Sequence, residues 1–200
     1  MHLKYIFLLS GIVCCAACTT PASMQQTWTN PTAIDSTKMF QKLLVVALLK
    51  DAYTRRVAED KLAAEVRPRG VVSYNYLPNY STGFDTGLIS NKLKQDGFDG
   101  IVIMRLITMS GNSSSSPGNY PSYYNTWYGY YTTTYPLYNI SGSQQTNEIF
   151  NIETCVYSLN QDKLVWTGVT TAVNISDKGR MIDKVIETVK QRMKQQGFIK

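Results

Sequence analysis

The chain has 200 residues, 44% of them hydrophobic and 17% charged, a balance that excludes a disordered chain and a multi-span membrane protein and fits one globular domain of ordinary size. Its single histidine, His2, lies in a leader segment, so the processed chain offers no imidazole for a triad, a proton shuttle or a histidine metal site. The excess of 20 Lys and Arg over 14 Asp and Glu is modest, and most of it falls at the C-terminus.

Lys4, then an apolar run from Tyr5 to Val13, then small residues through Ala17 have the order of a secretory signal peptide, residues 1–17. The apolar stretch is too short to span a bilayer, where about 18 to 20 residues are needed. Its ending, Cys15-Ala16-Ala17-Cys18, resembles a bacterial lipobox, and the resemblance implies that Cys18 is the lipidation site, carrying diacylglycerol on the thiol and a palmitate-type acyl chain on the amine. Leu is the usual residue where Cys15 stands; ordinary cleavage after Ala17, which yields the same N-terminal Cys18 without lipid, therefore stays open. Thr19 and Thr20 follow with no aspartate, which by resemblance to enterobacterial lipoproteins implies the outer membrane.

Removal of the leader leaves Cys155 as the only other cysteine, so no disulfide is expected unless Cys18 takes part in it. Cys155 reads as a small buried hydrophobe, with neither a histidine nor a second cysteine to activate it. Residues 18–41, rich in Thr, Pro, Ser, Ala and Gln, read as the lipidated N-terminus and a flexible tether. Within it Asp35-Ser36-Thr37 resembles a short O-glycosylation signal.

The α/β domain, residues 42–200, opens with KLLVVALL, a continuous apolar run expected to form a strand buried on both faces. A helix is predicted over 51–66, with Val57, Ala58, Leu62 and Val66 on one side, then a strand over 71–77 stopped by Pro78. A second helix is predicted over 84–96, closed by Gly97, and a third apolar strand over 101–109, interrupted by Arg105. Alternating strands and helices imply right-handed crossovers and a parallel sheet. Two strands over 149–159 and 163–173 form a hairpin expected to place Tyr157 beside Trp166, and Ile182, Val185, Ile186, Val189 and Met193 line a last helix ending at Gly197. The expected fold is therefore βαβαβ-ββα, a mixed five-stranded sheet with three helices and an insertion over 110–147. A charge inside an apolar strand must be paired, and Glu153 on the hairpin is the expected partner of Arg105.

This order resembles the N-terminal domain of the Tol system's periplasmic protein TolB, and is similar to the curli-secretion lipoprotein and to lipoprotein activators of penicillin-binding proteins. The chain looks most like a family of small envelope lipoproteins in which a strand like KLLVVALL precedes a helix with Arg55-Arg56 and Glu59-Asp60, and a hairpin like KLVWTGVT precedes a helix closing in Gly197-Phe198. The resemblance implies an assembly or accessory role and brings no catalytic residues with it.

Nucleotide binding is not expected, because the first βα turn, Leu49-Lys50-Asp51-Ala52, lacks the glycines that let a phosphate approach. The near carboxylate pairs, Glu59 with Asp60 and Glu148 with Glu153, are poor glycosidase candidates: the first is expected to face solvent, and the second points to opposite faces of a strand. No enzyme activity, metal or cofactor is expected. The stretch Leu106 to Asn147 carries no charge and holds eight tyrosines with Trp127, a composition that matches binding loops or a low-complexity insertion. As a recognition surface it would combine Tyr53, Tyr80, Tyr120, Tyr123, Tyr124, Trp127, Tyr128, Tyr130 and Tyr131 in one aromatic face, and removing residues 112–138 should leave stability unchanged.

Lys190, Arg192 and Lys194 complement the dipole of the last helix or meet anionic lipid or wall polymer. The expected partners are thus the membrane, through the lipid, and an envelope protein or glycan; nucleic acid is excluded by compartment. A self-assembling homo-oligomer and an envelope glycan hydrolase are the alternatives.

Overall fold

The structure is a computed structural model describing residues 22–32, 40–66, 68–76, 86–107, 120–140, 149–173 and 177–198. The leader, Cys18, the Asp35-Ser36-Thr37 motif and Tyr80 lie outside the described residues. Along the chain run β1 (Ala22–Thr29), β2 (Leu43–Leu48), α1 (Ala52–Glu65), β3 (Gly70–Val72), α2 (Ser73–Tyr76), α3 (Thr86–Gln95), β4 (Gly100–Ile107), α4 (Trp127–Ile140), β5 (Ile149–Ser158), β6 (Lys163–Val173) and α5 (Lys178–Gln195).

The apolar run KLLVVALL becomes β2, buried at all six positions, and lies inside a mixed sheet of order β1-β6-β5-β4-β2-β3. β3 and β4 flank it in parallel, whereas β5, β6 and β1 continue the sheet antiparallel. From β2 the chain crosses outward to β3 and then returns over β2 to β4; crossovers of one hand in opposite directions place α1 and α3 on opposite faces. The side chains agree. Val45, Ala47, Val102, Met104 and Val156 pack under α1 and α5, with Leu62, Ile182, Val185 and Val189. Leu44, Val46, Ile101, Ile103 and Tyr157 pack on the other face against Leu93 and Phe98 and, from α4, Trp127, Tyr130 and Tyr131.

Local chemistry sets the ends of these elements. Asp51 caps α1 by accepting from the Thr54 N–H at 2.7 Å, and Asp177 caps α5 by accepting from the Arg180 N–H at 2.8 Å. Gly97 follows α3 at φ +82°, the left-handed conformation that favours glycine after a helix. Gly70 opens β3 where α1 presses closest: a Cβ there would stand 2.8 Å from the Ala63 Cα.

The α/β class and the order of the predicted elements are present, with four differences. A sixth strand, β1, forms within residues 18–41, where a tether is expected, and pairs with β6 from Ala22↔Ala172 to Thr29↔Trp166. The strand expected over 71–77 ends at Val72 and turns into α2. The insertion contains α4, which covers a sheet face. Finally, Tyr157 does not sit beside Trp166: the register passes from Val156↔Trp166 to Tyr157↔Leu164, so the bulge at Val165 turns Trp166 onto the α5 face and leaves Tyr157 on the α4 face.

Candidate functional site

Arg105 and Glu153 are register partners on β4 and β5 and form the expected ion pair, with Nε 2.8 Å from Oε2. Both point to the face that α4 covers. The insertion reaches them through a 3₁₀ turn, Ser122–Tyr124, which follows Pro121, and through α4, whose Gly129 N–H donates to Thr126 Oγ1 at 3.3 Å. Tyr124 donates to Glu153 Oε1 at 2.8 Å and Tyr130 to Glu153 Oε2 at 2.5 Å. Arg105 in turn donates to both hydroxyls, Nε to Tyr130 and Nη2 to Tyr124 at 3.2 Å, with its guanidinium over the Tyr130 ring. Glu153, 3% exposed, thereby gains a guanidinium and two phenols in place of water, the condition under which a buried carboxylate is tolerable.

Burial, reinforced by the charge of Glu153, pushes the Tyr120 phenol up to about 12 and those of Tyr124 and Tyr157 further. Burial also raises Tyr130. Burial works against the charge on Arg105, yet Tyr130, Glu153 and Tyr124 outweigh it and hold the guanidinium protonated more firmly than in water. The fully buried Cys155 thiol, close to Thr167 Oγ1 at 3.3 Å, is raised by burial and by Glu153, so it remains a thiol at neutral pH. Chemically this cluster is a latch of protonated donors around one carboxylate: it fastens the insertion to the sheet.

The structure distributes the aromatic residues singled out in the sequence differently from a single face. Tyr124, Trp127, Tyr130 and Tyr131 are buried, Tyr120 and Tyr123 are half-buried, and Tyr128 is 37% exposed. Tyr120 packs edge-on against Trp28 of β1, at 5.8 Å between ring centroids, and Tyr123 packs on Tyr124 at 4.8 Å. Tyr53, 76% exposed, stands in the first turn of α1, beyond the opposite face of the sheet. Most of these rings are therefore core, because α4 and the 3₁₀ turn before it cover β4 and β5 on that side together with Leu93 of α3. The readable signal was the spacing Trp127, Tyr130, Tyr131, Thr134, the apolar stripe of a helix.

Glu59 corrects a second expectation. Fully buried rather than solvated, it accepts from the Ala47 N–H at 3.1 Å, Arg55 Nε at 3.2 Å, Ser73 Oγ at 2.7 Å and the Tyr74 N–H at 3.0 Å. β3 pairs with β2 only as far as Val45, so beyond it a β2 amide lacks a strand neighbour and the Glu59 carboxylate takes that place. Asp60 is exposed and accepts from the Tyr74 hydroxyl at 2.5 Å. Glu148 lies outside the described residues.

β1 brings the folded chain close to the proposed anchor: its first residue, Ala22, is buried and lies four positions after Cys18. Among the described residues no group of His, Cys, Asp and Glu is arranged to hold a metal ion, and no helix is long and apolar enough to cross a membrane.

No family model matches the sequence, and no curated protein matches it. Among solved structures the chain is similar to the PelC dodecamer from Paraburkholderia phytofirmans, at 8% identity over 84% of this chain and 94% of that one, with a TM-score of 0.42. It is also similar to the lipoprotein GNA1162 from Neisseria meningitidis, at 10% identity over 76% of this chain and 96% of that one, with a TM-score of 0.39.

Proposed function

We propose that the chain is a periplasm-facing, lipid-anchored outer-membrane protein whose α/β domain acts without catalysis as a binding or accessory factor in envelope assembly or maintenance. The observation that carries this reading is the junction of anchor and fold. A leader ending in Cys15-Ala16-Ala17-Cys18 is followed after three residues by an edge strand of the domain's own sheet, so the anchor holds the domain directly. The resemblance to TolB-like and curli-secretion lipoproteins supports the same role. The non-catalytic reading is supported by the fate of Glu59 and Glu153, both turned inward and engaged as hydrogen-bond acceptors.

Changing Cys18 to Ser tests the anchor. The variant should move from the membrane fraction to the soluble periplasm or accumulate as precursor, and normal processing with unchanged membrane fractionation would refute it.

A self-assembling structural lipoprotein is the second reading, favoured by the position of β1 and β3 at the two edges of the sheet among the described residues, where edge strands can template another chain. Mass photometry of the Cys18→Ser protein separates the two: a monomer favours the accessory factor, a defined oligomer the assembly.

A further inference from the structure

One end of the sheet collects chain termini of a particular kind. The pairs Ala22↔Ala172, Ile149↔Val173, Ile107↔Asn151 and Leu48↔Arg105 place the start of β1 beside the ends of β2, β4 and β6. α1 and α5 both begin at this end and run side by side, joined by Lys61 with Asp183 and, further along, by Glu65 with Lys190. Their capping carboxylates, Asp51 and Asp177, bond to the helix N-termini and are themselves exposed, with Lys178 close enough to act on Asp51 and Arg180 on Asp177, so with Lys50 the three cations outnumber the two carboxylates here. Exposed here are Lys50, Tyr53, Ile149, Lys178 and Arg180. Four peptide steps separate Ala22 from Cys18, a reach of at most about 15 Å.

We infer that this end of the domain lies on the lipid headgroups, with Tyr53 at the interface and Lys50, Lys178 and Arg180 toward anionic phosphates. The inference rests on the reading of Cys18 as a lipid anchor. With so short a leash the domain cannot leave the membrane surface, which a tether running to residue 41 would have allowed. The chemistry suits the location: an amphipathic ring and an aliphatic side chain at the same end of the sheet favour the interface, and lysine and arginine favour negative surface potential. The leash also decides what the basic C-terminus of α5 does. Its 18 residues span about 27 Å, so Lys190, Arg192 and Lys194 are carried away from the leaflet that holds the anchor. They face the periplasm and do not serve as the lipid contact.

The test uses the lipidated full-length product in vesicles of phosphatidylethanolamine and phosphatidylglycerol. Spin labels are placed singly by Tyr53→Cys, Asn160→Cys in the hairpin turn at the far end, and Lys194→Cys; the native Cys155 is buried and does not compete. Accessibility to oxygen relative to a water-soluble nickel chelate should be several-fold higher at position 53 than at 160 or 194. The triple change Lys50→Glu, Lys178→Glu, Arg180→Glu should lower the ratio at position 53 several-fold while the leash keeps the protein membrane-bound, and an unchanged ratio overturns the part assigned to these three cations. Equal accessibility at the three positions, or a higher ratio at 194, in a protein whose N-terminal peptide carries the acyl mass overturns the orientation and leaves the anchor standing. An N-terminal peptide without acyl mass overturns both.

Discussion

The Tyr130 hydroxyl reaches across from α4 and donates to Glu153 Oε2 on β5, 23 residues further along the chain. This bond joins the insertion to the strand whose charge it helps to satisfy, and makes the latch testable one group at a time. Tyr130→Phe removes a donor and leaves the ring, so Glu153 keeps Arg105 and Tyr124; the expected loss is about 1 to 3 kcal/mol. Arg105→Leu leaves a buried carboxylate without its cation and should cost about 3 to 5 kcal/mol. Urea unfolding of both single variants and the double variant checks the order. If the double variant loses the sum of the two, the residues do not act through one carboxylate.

Shortening the insertion gives the opposite result to the one its composition suggests. Replacing residues 112–138 with a Gly-Ser linker removes Trp127, Tyr130 and Tyr131 from the core and uncovers β4 and β5. The shortened protein should lose its cooperative thermal transition, and Trp127→Ala alone should cost about 3 to 5 kcal/mol. A shortened chain that melts at the temperature of the parent would mean that α4 does not pack on the sheet.

How far the sequence could be read depended on whether local pattern and burial agreed. β2 and α5 are plain because a fully apolar run and a clean helical stripe each point to one structure. The pairing of Arg105 with Glu153 was legible from two charges on adjacent strands. β1 was hidden because an edge strand needs little apolar surface, and ASMQQTWT reads as linker until β6 is beside it. α4 was hidden for a different reason: tyrosine, threonine and glycine are weak helix formers, so tertiary packing, with Trp127 and Tyr130 against the sheet, decides its conformation. Glu59 shows the limit of reading charges as solvated, since only the early end of β3 reveals the amides it must satisfy.

Glu59 therefore makes its own prediction. Glu59→Ala strips acceptors from the Ala47 and Tyr74 amides and from Ser73, and should destabilise the domain by about 3 to 5 kcal/mol, within the range for breaking a buried polar network. Amide hydrogen exchange should localise the loss to Ala47 and Tyr74. Unchanged protection at both would show that another acceptor serves them.

The buried phenols set an alkaline limit on the fold. Tyr120, pushed up to about 12, and Tyr124, Tyr130 and Tyr157, raised by burial, hold their protons more tightly folded than unfolded, where a tyrosine titrates near 10. A raised folded value means that their contribution is complete below about pH 10 and is lost as the pH climbs from there through 12, because the unfolded chain releases protons that the folded chain retains. Tyrosinate absorbance followed against pH should thus show a late group of phenols ionising together with loss of the near-ultraviolet circular dichroism. Tyr130→Phe should lower the overall stability at neutral pH while reducing its further decline above pH 10, since one proton fewer is released on unfolding. If all the tyrosines ionise in one step near 10 with the fold intact, the rings around Glu153 are open to water and the latch is not formed.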